Sequence, residues 1–207
     1  FLQSWMCATP LILSEEDIAL NKVVSLFAKA GCNALSATPS MWRKLSMNDS
    51  FSSLDLKQIT LGGEIVDQPV LDALSNQFPK AKITHIYAST EAGVGFVVRD
   101  KRSGFPLEYL SENPYNVEMH ISKQGHLCFK KLSDQQLESS EEEQWIDSGD
   151  IVQQVNDRVH FLGRSNGSIN VGGNKVMPEE VETVIKTFPD VLSVRVSAHK
   201  SAILGNL

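Results

Sequence analysis

Cysteine is scarce in this 207-residue chain: there are three, Cys7, Cys32 and Cys128. An odd number without patterned spacing fits neither a disulfide frame nor a metal site, and reads as reduced cytosolic thiols. Basic residues are outnumbered, 19 Lys and Arg against 25 Asp and Glu, giving a net charge of −6 and a pI near 5.4. Nucleic-acid binding needs a basic face, so this balance argues against that class. No apolar run reaches the length of a membrane span. No basic segment precedes an apolar one at the start, so neither anchor nor signal peptide is visible, and a cytoplasmic location is expected. The chain opens on Phe1 rather than methionine, which suggests a piece of a longer protein.

What is present can fold. Hydrophobic residues make up 42%, enough to bury one full core and part of another. Ser14, with Asp17 three residues on, predicts the start of a helix. Its stripe is Ile18, Val23, Val24, Phe27 and Ala30, and it stops at Gly31. Residues 33–38 read as a short strand. Thr38-Pro39 then supplies an N-cap and a first-turn proline for a helix over 40–45. A strand over 56–61 ends at Gly62-Gly63. Asp67 caps a helix that turns Val70, Leu71 and Leu74 inward and closes at Phe78-Pro79, and a third strand covers 82–87. Alternation of strand and helix at these intervals means crossover connections and a parallel sheet. Ligands of such sheets lie beyond the carboxyl ends of the strands. Gly62-Gly63-Glu64 and Ala88-Ser89-Thr90-Glu91 both fall there.

From Val94 the texture changes. Residues 94–99, 117–122 and 126–130 alternate more and are separated by Gly and Pro, which predicts a small antiparallel β subdomain. The stretch 133–144, centred on Glu141-Glu142-Glu143, reads as a solvated loop. An α+β unit is expected from Gly167: a strand over 168–171, a turn at Gly172-Gly173-Asn174, a helix over 178–188 and a strand over 192–198. Val181, Val184, Ile185 and Phe188 are its predicted buried stripe. Glu179 and Glu180 in the first turn suit the helix dipole. The expected class is α/β.

Polar residues with chemical potential concentrate in two places. A hairpin of 151–155 and 158–162 about Asn156-Asp157 brings Asp150 and Arg164 to one end. A carboxylate and a guanidinium meeting there either clamp a vicinal diol, such as a ribose, or pair with each other. Upstream, Gly62 and Gly63 project no side chains, so they admit a flat ligand or make an ordinary turn. Tyr87 reads as a core aromatic whose hydroxyl needs a partner. Thr90 and Glu91 offer a hydroxyl for a phosphate oxygen and a hard carboxylate for magnesium, or else cap a helix. The five histidines show no ligand spacing, and Trp5, Trp42 and Trp145 read as core or rim.

Four runs occur in order: Gly62-Gly63-Glu64, Tyr87 to Glu91, Ser148-Gly149-Asp150, and Gly163 to Val176 with Pro178-Glu179-Glu180-Val181-Glu182 behind it. Together they resemble the signatures of the acyl-adenylate-forming (AMP-binding) superfamily. That group covers acyl-CoA and aryl-CoA ligases, peptide-synthetase adenylation domains and luciferase-like enzymes. The resemblance spans roughly residues 35–196. It implies that 1–162 form the C-terminal half of a large nucleotide- and acyl-binding domain, more β-rich over 93–162. Residues 163–166 would be a hinge, and 167–207 the start of a mobile, truncated small domain.

The implied chemistry is ATP-dependent activation of a small carboxylic acid as acyl-AMP. The acyl group then passes to CoA or to the phosphopantetheine of an acyl carrier protein. Gly62, Gly63 and Glu64 would wall the adenine site, and Tyr87 would stack on the base, with Ala88 and Ser89 continuing that turn. Thr90 would meet a phosphate and act in catalysis beside Glu91, the magnesium ligand. Asp150 would accept both ribose hydroxyls, with Arg164 supporting the sugar and Phe161 packed beside it; Gly173 would approach the thiol. Departures stand at Ala88 for the usual glycine, Ser148 for threonine and Asn166 for an acidic residue. Asn170 and Gly172 stand where lysine and arginine are frequent. The family's Ser/Thr/Gly-rich phosphate loop and its late catalytic lysine are not among the 207 residues, so these residues alone are expected to be inactive. The rival reading is a non-catalytic nucleotide-sensing or interaction domain of the same fold.

Overall fold

The computed structural model describes residues 2–13, 18–89, 93–112, 114–115, 117–131, 145–167, 169–171, 174–197, 200–201 and 205–206. Helices α1 (Leu2–Met6) and α2 (Leu20–Lys29) precede the first sheet. That sheet runs β1 (Ala34–Ala37), β2 (Gln58–Gly62), β3 (Lys82–Ser89) and β4 (Gly93–Val98) in spatial order. The first three strands are parallel, and β4 returns antiparallel to β3. Helix α3 (Pro39–Ser46) lies between β1 and β2, and α4 (Gln68–Gln77) between β2 and β3. Local chemistry fixes both starts. Thr38 Oγ1 accepts from the Met41 amide at 3.3 Å, and Asp67 Oδ1 from the Val70 amide at 3.2 Å. Each helix carries a proline in its first turn, where no amide partner is lost. Trp42, Phe51, Ile59, Leu61, Leu71 and Leu74 pack as the core under this sheet, with Phe51 edge-on to Phe78 at 5.3 Å.

Two expectations change here. Helix α2 starts at Leu20, with Ala19 at its cap and no side-chain capping bond, so Ile18 precedes it; Ser14 and Asp17 lie outside the described residues. Strand β4 joins the first sheet rather than the antiparallel subdomain. Three residues separate it from β3, too few for a crossover, so an adjacent antiparallel return is the available geometry.

The second sheet is wholly antiparallel: β5 (Phe105–Pro106), β6 (Val117–Ile121), β7 (His126–Lys131), β8 (Ile146–Val155) and β9 (Arg158–Arg164), ordered β5-β9-β8-β7-β6. Phe96, Phe105, Leu127, Phe129, Val152 and Val159 form its core. The buried Arg158 ties the loop before β5 to this sheet. Its guanidinium donates to Ser103, Arg102 and Gly104 carbonyls at 2.8–3.0 Å and to Asp100 at 2.6 Å. Those bonds offset the cost of taking the charge out of water.

After a 3₁₀ turn at Ser165–Gly167 come the hairpin β10 (Ile169–Val171) and β11 (Asn174–Val176), then α5 (Pro178–Ile185). The predicted buried stripe is only half covered: Val181 and Ile185 are half-buried, whereas Val184 and Phe188 are 63% and 61% exposed. Periodicity reports an apolar face, not a partner that covers it. Residues 191–197 alternate as a strand does but form none. The Val196 amide donates to Glu182 Oε1 at 2.7 Å instead of to a neighbouring strand. The class is α/β, with a parallel-containing sheet beside an antiparallel one. No helix among the described residues is long and apolar enough to cross a membrane.

Candidate functional site

The C-terminal ends of β2 and β3 meet the open end of the β8–β9 hairpin around a cavity of about 480 Å³. Gly63, Glu64, Tyr87, Ala88, Asp150, Phe161, Arg164 and Glu179 are among its lining residues. Both strand pairs shift register here, between Tyr87 and Ala88 and between Ile151 and Val152, as β-bulges do. Bulges re-aim side chains, and these flank the two residues that meet across the site.

Asp150 is the centre of that meeting. It is paired with Arg164 in the hairpin register, as the spacing predicts. Its Oδ1 accepts from Arg164 Nε at 3.0 Å, and its Oδ2 from the Tyr87 hydroxyl at 2.5 Å. The carboxylate is 11% exposed while the arginine side chain is 62% exposed, so the cation faces solvent and the anion faces inward. The run before it is held in place by its own hydroxyl: Ser148 donates to the Leu127 carbonyl at 2.7 Å and accepts from the Asp150 amide at 3.0 Å. Threonine could supply the same hydroxyl, so the Ser148 departure keeps this role.

Tyr87 is stacked on Phe161 at 5.0 Å and on Phe96 at 5.1 Å, with planes within 13°. Burial, then the hydrogen bond and charge of Asp150, push its hydroxyl well above the ordinary phenol range. It therefore stays protonated and donates. Gly63 sits at φ +78°, a left-handed conformation that suits glycine. Glu64 borders the cavity, but its Oε2 accepts from the Ser40 amide at 2.8 Å, at the start of α3. Burial works to raise its pKa, and hydrogen bonds from Ser40 and Thr38 with the Arg43 charge outweigh it and hold the carboxyl below its ordinary value.

His85 lies on the same strand, buried, with Nε2 3.1 Å from the Arg102 carbonyl. Burial pushes its imidazolium down, and the Arg102 carbonyl and Asp100 only partly counter it. Thr90, Glu91 and Gly173 lie outside the described residues, and of Ser89 only the backbone pairing with Gly93 is described. No group of three His, Cys, Asp or Glu side chains among the described residues could hold a metal ion.

Sequence reasoning missed Glu179 as a lining residue. Its Oε2 is buried against Gly163 and has no hydrogen-bond partner among the described residues. The first-turn position predicts only a helix-dipole role, because packing of α5 on β9 is a long-range contact with no local signal.

Comparison with known proteins gives a consistent family. The family described as "AMP-binding enzyme" matches residues 2–130. The chain is 26% identical over 188 residues to the 2-succinylbenzoate–CoA ligase of Arabidopsis thaliana, covering 73% of this chain and 34% of that one. It is 25% identical over 185 residues to the D-alanine–D-alanyl carrier protein ligase of Bacillus licheniformis, covering 74% and 36%. Among solved structures, an anthranilate CoA ligase in complex with anthranoyl-AMP shares the fold at a TM-score of 0.71 and 16% identity, covering 96% of this chain and 42% of that one. The chain thus spans about a third of the length of the two curated ligases.

Proposed function

Because the chain belongs to the AMP-binding enzyme family, we propose that it carries nucleotide-contact residues of an ATP-dependent carboxylic acid ligase. In the first step a substrate carboxylate attacks the α-phosphorus of ATP, forming acyl-AMP and releasing pyrophosphate. In the second, the thiol of CoA or of a carrier protein's phosphopantetheine attacks the acyl carbonyl, and AMP leaves as the thioester forms. The observation that carries this reading is Asp150: a nearly buried carboxylate, oriented on both oxygens, opening on a cavity within the usual size range of small-molecule sites.

Asp150 accepts the ribose hydroxyls, exchanging one for the Tyr87 hydroxyl it now holds. Arg164 supplies positive charge beside the sugar, and Phe161 packs against it. The Tyr87 ring and the backbone of Gly62 and Gly63 border the base, with Ala88 and Ser89 completing the turn. Glu64 acts by fixing that loop to α3 rather than by touching the base. Thr90 and Glu91 are assigned to a phosphate oxygen and to magnesium, and Gly173 to the thiol's path. Residues 163–166 serve as the hinge for the segment that follows. Catalysis of this kind is chiefly positioning plus charge stabilisation at the transferring phosphorus.

ATP–pyrophosphate exchange tests the proposal, using the full-length protein with a panel of fatty, aryl and amino acids. Acid-dependent exchange is expected. Residues 1–207 alone should lose it by orders of magnitude, since groups acting on the transition state lie outside them. Nucleotide binding without exchange for any acid would favour a sensing domain. Robust exchange by residues 1–207 would contradict the assignment of missing parts.

A further inference from the structure

Lys186 ends α5, 119 positions from Asp67, yet its Nζ donates to Asp67 Oδ2 at 3.1 Å. The same oxygen accepts from Arg43 Nη2 at 2.5 Å. One carboxylate, at the start of α4, therefore carries cations from α3 and from the end of α5. All three side chains are mostly sequestered, at 17%, 13% and 18% exposure for Arg43, Asp67 and Lys186. Screening by solvent is correspondingly weaker than for an open surface pair.

We propose that the Lys186–Asp67 bridge is a latch that positions α5 and the segment around it over the cavity. The rest of the helix packs on β9 but leaves part of its apolar face uncovered. Val184 and Phe188 are exposed, and Glu179 lies against Gly163 with an oxygen left unpaired. The bridge is also built to open. A buried carboxylate stripped of its only partner is strongly destabilising, but Asp67 keeps Arg43 and the Val70 amide when Lys186 leaves. Lys186 needs only to turn toward water. A contact that is specific, partly desolvated and inexpensive to release suits a segment that takes two orientations. Lys186 is thus a positioning residue. Its consequence for rate rests on the ligase reading above, in which the segment turns about 163–166 between the two half-reactions.

Paired spin labels at Ala73→Cys and Val184→Cys, both exposed positions on α4 and α5, report the separation in the full-length protein. Cys7→Ser and Cys32→Ser remove the accessible native thiols of this region. Lys186→Ala should broaden the distance distribution and shift the ratio of thioester to adenylate formation by about fivefold or more. Lys186→Arg should keep both as in the unaltered protein. An unchanged distribution in Lys186→Ala overturns the latch. A broadened distribution with an unchanged ratio overturns its positioning role. Failure of the ligase reading shows separately, as absence of pyrophosphate exchange in the unaltered protein, with the distances still deciding whether the latch exists.

Discussion

His85 and Glu64 show how a residue's role follows from what surrounds it rather than from its type. His85 is buried on β3 beside a carbonyl, so the folded chain resists its protonation. The unfolded chain takes up that proton near the ordinary value of about 6.5. A depressed folded value means the contribution to stability is complete above about pH 6.5 and is lost as pH falls through the folded value. The urea midpoint should therefore drop between pH 7.5 and 5.5. His85→Gln should show a smaller drop, with His160, also depressed by burial and by Arg158, retaining the rest. Equal drops in the two proteins would contradict this account. Glu64 is the converse lesson. The family resemblance implies that it walls a ligand site. It does border the cavity, and its carboxylate also accepts from the start of α3, a bond that only three-dimensional proximity reveals.

Elements with local punctuation were legible; those defined by partners were not. Thr38-Pro39 and Asp67 mark helix starts that the structure reproduces, because capping is chemistry within a few residues. The β8–β9 hairpin and its Asp150–Arg164 register follow from alternation about Asn156-Asp157. By contrast, β4's sheet, the half-covered stripe of α5 and the missing strand at 192–197 depend on neighbours far along the chain. Gly104 carries a test at this scale, since it closes β5 against β9. It sits at φ +69°, and an added Cβ would stand 2.2 Å from the Val159 carbonyl oxygen, a backbone atom that cannot swing aside. Gly125 has φ +80° but meets Val152 oxygen at an ordinary 3.7 Å. Gly104→Ala should cost more than the roughly 1–3 kcal/mol typical of backbone strain alone, and clearly more than Gly125→Ala. Denaturant unfolding of the two variants measures the difference; equal losses would show that β5 is not closely seated on β9.

At the scale of the whole molecule, two sheets of different character contribute to one cavity, β3 from the first and the β8–β9 hairpin from the second. The ordered runs in the sequence pointed to both contributors. They could not show that Tyr87 hydroxyl and Arg164 guanidinium converge on the same carboxylate, because that depends on how the sheets pack. On the ligase reading proposed above, that convergence makes Asp150 the residue on which nucleotide recognition would turn. A charge-assisted hydrogen bond is worth about 1.5–3 kcal/mol, and about 1.4 kcal/mol is tenfold in affinity. Calorimetric titration of AMP into the full-length protein and its Asp150→Ala variant is the most direct measurement. The predicted result is affinity weakened about tenfold or more in a variant that remains folded, since the arginine left behind is already exposed to water. Equal affinity in the two folded proteins would mean that Asp150 serves only to pair with Arg164 and Tyr87, and that the nucleotide binds elsewhere.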